Sequence, residues 1–107
     1  SSITLYDPSF KRHEKKPDRR FDVVVCSDVL EHITEDEVPR FIADLFNHAK
    51  LGVWASVCCR PAKKVFPGTD INLHCTIKPM EWWREQFAAA QALFTGLDLQ
   101  WELVETP

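Results

Sequence analysis

One continuous apolar run, FDVVVCSDVLEHI at residues 21–33, constrains the fold of this chain more than any other feature. Its apolar residues follow one another without alternation, which is typical of a central strand covered on both faces. Strands of this kind are found mainly in the parallel sheets of α/β proteins. The run ends in Asp28, Glu31 and His32, so we expect a polar cluster just beyond the carboxyl end of a buried strand.

The remaining segments fit an α/β order. Strands are predicted at 2–6, 21–27, 51–59 and 97–104, and long loops at 8–20 and 60–77. One helix is predicted to start at a capping box formed by Thr34 and Glu37 and to continue to Ala49. A second is predicted from Pro79 to about Leu93. The prediction is a single α/β domain spanning 1–107, with a mostly parallel sheet and helices on its faces.

Composition excludes several classes of function. A net charge of −3 over 107 residues argues against binding nucleic acid through a basic face. No apolar run approaches the roughly 18 residues that span a bilayer, and no signal-peptide pattern opens the chain, so a cytoplasmic protein is expected. The cysteines, Cys26, Cys58, Cys59 and Cys75, do not form a disulfide framework and lack a C-x2-C pair. Buried free thiols are predicted rather than a zinc site that would also use His74.

Polar residues at the carboxyl ends of the predicted strands are the candidate site, because open α/β sheets bind ligands there. Asp7 follows the first predicted strand, where it can accept hydrogen bonds from a ribose or simply start a turn. Asp28, Glu31 and His32 are spaced i, i+3 and i+4, which puts them on one side of a helical turn. Two carboxylates and an imidazole can hold a divalent cation or supply a general base, or they can be merely structural.

Three segments resemble class I S-adenosylmethionine-dependent methyltransferases. FDVVVCSDVLEHI is similar to that family's fourth-strand segment, and LYDPS to the end of its second strand. INLHCTIKPMEWWREQF resembles the later segment in which a histidine precedes a helix opened by proline. The segments occur in the family's order over roughly residues 3–87, and they imply a partial Rossmann-like methyltransferase sheet, the C-terminal part of the class I fold.

The resemblance also implies roles for single residues. Asp7 would bind the ribose hydroxyls of S-adenosylmethionine and Pro8 would lie near its adenine, while Ser27 and Asp28 would border its methionine end. In ubiquinone-pathway O-methyltransferases and small-RNA 3′-terminal ribose methyltransferases, comparable side chains bind a divalent metal such as Mg²⁺ or Mn²⁺. The matching positions are Asp28, Glu31, His32 and His74, with Glu31 and His32 as the groups that assist deprotonation of a hydroxyl acceptor.

The family's glycine-rich loop is missing, since Gly52, Gly68 and Gly96 are far apart in the sequence. The expectation is a truncated or minimal member that lacks the strand between the family's second and fourth strands. Either SITLY then pairs with FDVVV, or a partner chain, such as a second copy in a homodimer, completes the sheet.

Three functions remain open from the sequence. The first is methyl transfer to an unidentified acceptor, with or without a metal. The second is a non-catalytic binding or assembly module on the truncated fold. The third is a metal-dependent hydrolase that uses the same acids and histidines, although no nucleophile-base pair is visible in the sequence.

Overall fold

A four-stranded sheet with every neighbouring pair parallel organises the computed structural model of this chain. The structure describes residues 3–5, 20–63, 65, 67–69 and 71–107, so the predictions for Asp7, Pro8 and the loop at 8–19 lie outside the described residues. In spatial and chain order the strands are β1 (Ile3–Leu5), β2 (Phe21–Ser27), β3 (Ala49–Val57) and β4 (Gln100–Glu105).

Two helices connect the last three strands. Helix α1 (Val38–Asn47) joins β2 to β3, and α2 (Met80–Ala92) joins β3 to β4. The predicted order of strands and helices is confirmed. Pro79 was predicted to open α2, and it lies one residue before the helix, as its N-cap.

The predicted capping box is wrong. Thr34 precedes a 3-10 turn at Glu35–Glu37, and its side chain caps neither that turn nor α1, which begins only at Val38. Pro39 occupies the first turn of α1, where the absence of an N–H costs no hydrogen bond. The 3-10 turn therefore separates the Thr34 side chain from the first free N–H groups of the helix.

One face of the sheet carries the hydrophobic core. Helices α1 and α2 pack against each other and against this face, and Phe87 of α2 bridges Phe46 of α1 and Trp101 of β4 with ring centroids 6.0 Å and 5.4 Å away. Trp83 is completely buried whereas Trp82 is partly exposed, so Trp82 lies toward the edge of the apolar face of α2. The buried strand residues on this face include Val24, Cys26, Val53, Ala55, Val57 and Leu103.

The opposite face is covered by no helix within the described ranges. Its central side chains, Val23, Val25, Trp54 and Val104, are each partly exposed. Gly52 of β3 lies opposite Gln100 of β4, and a Cβ atom there would clash with the carbonyl oxygen of Gln100. Glycine at this position therefore allows the two strands to pair.

The first strand pairs directly with the second. Ile3, Thr4 and Leu5 of β1 lie opposite Val23, Val24 and Val25 of β2 in parallel register. This arrangement confirms the first of the two alternatives for the missing strand, since the described part of SITLY, Ile3–Leu5, pairs with FDVVV. Completion of the sheet by a partner chain stays a prediction.

Candidate functional site

The carboxyl ends of β2, β3 and β4 carry a cluster of polar side chains. Ser27 is the last residue of β2, and Asp28 directly after it adopts a left-handed backbone conformation, with φ of 55°. This conformation changes the direction of the backbone, so the residues after Asp28 do not continue the strand. A short 3-10 turn at Leu30–His32 comes next.

Asp28 is directed toward the neighbouring strands. Its N–H donates to the carbonyl and the hydroxyl oxygens of Ser56, both at 3.1 Å. Its Oδ1 accepts hydrogen bonds from the hydroxyls of Ser56, at 3.3 Å, and Thr106. The Ser27 hydroxyl lies 3.2 Å from the Ser56 hydroxyl. Ser27 and Asp28 are both exposed, so this end of β2 presents them as polar groups that a ligand could reach.

Glu31 points inward, unlike Asp28. Its side chain is only 2% exposed, and its Oε1 accepts a hydrogen bond of 3.2 Å from the N–H of Cys58, just beyond β3. Its Oε2 lies 3.9 Å from Nε2 of His32. A carboxylate this deeply buried requires partners for its charge.

Two hydrogen bonds from Thr76 attach the later loop to the turn that carries Glu31. The Thr76 N–H donates to the carbonyl of Glu31 at 3.1 Å, and its hydroxyl donates to the carbonyl of Ile33 at 2.6 Å. Thr76 is itself 2% exposed. This attachment brings His74, two residues earlier, beside His32.

A backbone carbonyl orients the imidazole ring of both His32 and His74. Nδ1 of His32 lies 3.1 Å from the carbonyl of Leu73, and Nδ1 of His74 lies 2.5 Å from the carbonyl of Arg60. A carbonyl oxygen only accepts, so each Nδ1 carries the hydrogen and each neutral ring keeps a free lone pair at Nε2. The ring centroids are 4.9 Å apart and the ring planes are nearly perpendicular, at 86°.

Glu31, His32 and His74 form a group that fits a metal ion. Each offers one donor atom, and the three atoms lie within 4.8 Å of one another. Backbone carbonyls that fix Nδ1 of ligating histidines are a common feature of protein metal sites. Asp28, the fourth predicted ligand, is not in this group, because its carboxylate turns toward Ser56 and Thr106.

Asn72 holds the backbone next to His74 in place, and it was not predicted from the sequence. Its Oδ1 accepts from the N–H of Ala62 at 2.8 Å and of His74 at 2.9 Å, while its Nδ2 donates to the carbonyl of Ala62 at 2.9 Å. One amide side chain thus joins the segment after β3 to the segment before α2. The only sequence signal was an Asn two residues before a candidate His, since Asn often bonds the backbone two residues on.

An open cavity of about 510 Å³ lies between these two segments. Arg60, Lys63 and His74 line it, together with Cys58, Pro61, Ala62 and Pro107. Arg60 and Lys63 were not predicted as site residues, because two exposed cations in a loop have no distinguishing pattern in a single sequence.

All four cysteines are free, but the prediction that they are buried is correct only for Cys26. Cys58 and Cys59 are partly exposed, and Cys75 is exposed. Burial raises the pKa of the Cys59 thiol, and the neighbouring charges of Glu105, Cys58 and Glu31 raise it further. Within the described ranges, the group of candidate metal ligands contains no cysteine.

None of the helices in the described part of the chain is long and apolar enough to cross a membrane.

The fold is that of an α/β protein of the Rossmann-like class, with a parallel sheet and crossover helices. The candidate site lies at the carboxyl ends of the strands, where such proteins bind ligands.

The comparison with protein families agrees with this class. A family model described as a methyltransferase domain matches residues 1–106. The chain belongs to this methyltransferase domain family, and the resemblance found in the sequence is confirmed. No curated protein and no solved structure gives a match.

Proposed function

We propose that this chain transfers a methyl group from S-adenosylmethionine to a hydroxyl of an acceptor, with Glu31, His32 and His74 at the reacting end. The observation that carries the proposal is the convergence of three donor atoms within 4.8 Å, with both imidazole Nδ1 atoms bonded to backbone carbonyls. Membership of the methyltransferase domain family supports the reaction type. The cofactor supplies a methyl group on a positively charged sulfur, ready for displacement.

In this reaction the acceptor oxygen forms a bond to the methyl carbon as the carbon–sulfur bond breaks, and sulfur keeps the electron pair. The acceptor must also lose its proton. When no metal is bound, Nε2 of His32 can take that proton, because its Nδ1–H donates to the carbonyl of Leu73 and holds the ring in place. The buried carboxylate of Glu31 lies 3.9 Å from the same Nε2.

A divalent metal fits the same three side chains. When bound, it would lower the pKa of an acceptor hydroxyl and hold it in place. Two imidazoles and one carboxylate suit Mn²⁺ and its neighbours better than Mg²⁺, which prefers oxygen ligands. Of the two predicted cations we therefore expect Mn²⁺.

At the cofactor end we propose that Ser27 and Asp28 border the methionine part of the cofactor, as the resemblance implies. Their exposure at the end of β2 supports this role. Asp7 and Pro8 remain the proposed contacts to ribose and adenine. The free cysteines support a reducing, cytoplasmic location.

A second candidate function is a non-catalytic binding or assembly module, which includes the possibility of a homodimer. The observation that favours it is the apolar sheet face of Val23, Val25, Trp54 and Val104, which no described helix covers. A module of this kind would keep the fold and need neither cofactor nor metal.

The first test measures S-adenosylhomocysteine binding by calorimetry, with and without Mn²⁺. Saturable binding supports the methyltransferase, and no binding at millimolar concentration favours the assembly module. The second test measures melting temperature as Mn²⁺ is added to Glu31→Gln, to Asp28→Asn and to the control Glu85→Gln on the exposed side of α2.

We expect Mn²⁺ to stabilise the wild type by about 2.7 kcal/mol at a concentration 100 times its Kd. Glu31→Gln should abolish this shift, because glutamine keeps an acceptor for the Cys58 N–H but loses the charge. Asp28→Asn and Glu85→Gln should retain it. A shift that persists in Glu31→Gln would remove the metal from the proposal, and a shift lost in Asp28→Asn would restore the predicted four-ligand set.

A further inference from the structure

The cavity beside His74 has an electrostatic character that methyl transfer does not by itself explain. Two cationic residues, Arg60 and Lys63, line it, and none of its lining residues has an acidic side chain. We propose that this cavity binds an anionic group, a carboxylate or a phosphate, of the small molecule that accepts the methyl group. The identification of that molecule as the acceptor rests on the proposed function, whereas the binding of the anion does not.

The two cations are available to a ligand. Neither Arg60 nor Lys63 forms an ion pair with any described residue, and both are exposed. Two other described cations are already engaged. Lys78 lies 3.2 Å from a carboxylate oxygen of Glu35 and 5.5 Å from the ring centre of Trp82. Arg20 donates to the carbonyl of Ala49. Within the described ranges, the charges of Arg60 and Lys63 therefore have no side-chain counter-ion.

The cavity is also held in shape by hydrogen bonds. The Asn72 side chain forms hydrogen bonds with the N–H and the carbonyl of Ala62, which lies between Arg60 and Lys63. It also accepts a hydrogen bond from the N–H of His74 on the facing segment. The carbonyl of Arg60 accepts from Nδ1 of His74. Because the backbone carrying both cations is fixed to the backbone carrying His74, less of the binding free energy is lost in ordering the loop.

The position of the cavity connects it to the reacting end. His74 belongs both to the cavity wall and to the group of three donor atoms. A molecule with its anionic group near Arg60 and Lys63 can thus present a hydroxyl toward His74, His32 and Glu31. The volume of about 510 Å³ is that of a small-molecule site, and two cations on a chain of net charge −3 do not suit a long polyanion.

The test uses three probes with one ring in common: benzoate, phenyl phosphate and benzyl alcohol. Each is titrated into the 107-residue chain at constant ionic strength, and binding is followed through the backbone amide chemical shifts of residues 58–60, 62–63 and 72–75. We expect saturable shifts with at least one anion and none with benzyl alcohol. The tighter of the two anions identifies the group as a carboxylate or a phosphate.

Variants assign the binding to the two cations. The double variant Arg60→Gln/Lys63→Gln should bind the preferred anion about 10-fold more weakly, because it loses two charge-assisted hydrogen bonds. The control Lys50→Gln/Arg84→Gln makes the same change of charge at two exposed positions that do not line the cavity, and its affinity should stay within about 2-fold of the wild type. Arg60→Lys keeps the charge and should retain most of the binding.

Two results would overturn the proposal: equal binding of benzyl alcohol and the anions, or an unchanged affinity in the double variant at the cavity. Titration of the same sample with S-adenosylhomocysteine separates this failure from that of the proposed function. Cofactor binding without anion binding refutes only the anion site. Anion binding without cofactor binding leaves the cavity as a binding site and refutes the methyltransferase.

Discussion

The helix-covered face of the sheet and its carboxyl edge are held together by different forces. Buried apolar side chains such as Phe46, Trp83 and Phe87 fill the first region. In the second, single polar side chains connect distant segments, as Thr76 does for the turn at Leu30–His32 and Asn72 for the walls of the cavity. Substitutions in the two regions should therefore have different effects. A substitution on the covered face should change stability through packing, and one at the carboxyl edge should change what the chain binds.

The largest effect should come from the centre of the covered face. Phe87→Ala removes a ring that contacts both Phe46 and Trp101, and we expect it to lower the free energy of unfolding by about 3–5 kcal/mol. Urea unfolding followed by far-ultraviolet circular dichroism measures the change. The control Glu85→Ala, exposed on the same helix, should change the free energy by less than about 0.5 kcal/mol. A loss below about 1 kcal/mol for Phe87→Ala would contradict the described core.

A smaller effect is expected where two strands approach each other. Gly52→Ala places a Cβ against the carbonyl oxygen of Gln100, and moving the β3 and β4 backbones apart should cost about 1–3 kcal/mol. The same unfolding experiment measures it. Leu51→Ala, at a neighbouring position that is 58% exposed, is the control and should cost less. Equal effects of the two changes would show that β3 and β4 are not in the described register.

The smallest effect concerns reactivity rather than stability, and it compares two thiols near the carboxyl edge. Burial and nearby negative charge raise the pKa of Cys59, whereas Cys75 is exposed. A raised pKa lowers the fraction of thiolate at any pH below it, and the thiolate is the form that reacts. At pH 8, iodoacetamide should therefore modify Cys75 before Cys59, as mass spectrometry of the folded protein can show.

The rate at Cys59 should keep rising as the pH is increased through 9, because more thiolate forms. Denatured protein provides the control, since unfolding removes both causes of the raised pKa. Modification of Cys59 as fast as Cys75 at pH 8 in the folded chain would contradict the described environment.

The sequence predicted the covered face better than the edge. Apolar runs predicted the strands of the described sheet, and helical periodicity predicted both described helices. The run at 21–27 also predicted cover on both faces of β2, whereas the described helices cover one face and Val23 and Val25 are partly exposed on the other. The start of α1 was predicted wrongly. Thr34 and Glu37 have the spacing of a capping box, but Thr34 lies before a separate 3-10 turn and Glu37 lies in it. Local spacing cannot distinguish a cap from a turn that precedes the helix.

At the edge the residue types were predicted but their orientations were not. The i, i+3, i+4 spacing assumed that Asp28, Glu31 and His32 share one helical turn, and the left-handed φ of Asp28 breaks that assumption. His74 joins Glu31 and His32 as the resemblance implied. Asn72 and the cations of the cavity depend on contacts between segments ten or more residues apart, for which a single sequence has no periodic signal.

The backbone of Asp28 also limits how this position can drift during evolution. At φ of 55° a β-branched or bulky residue is strained, whereas Asp, Asn and Gly are accommodated. The backbone conformation therefore restricts which amino acids can occupy position 28, whatever their chemical role. In related chains, the absence of bulky residues there would report on the turn, and only the choice of Asp over Asn or Gly would report on the need for a negative charge.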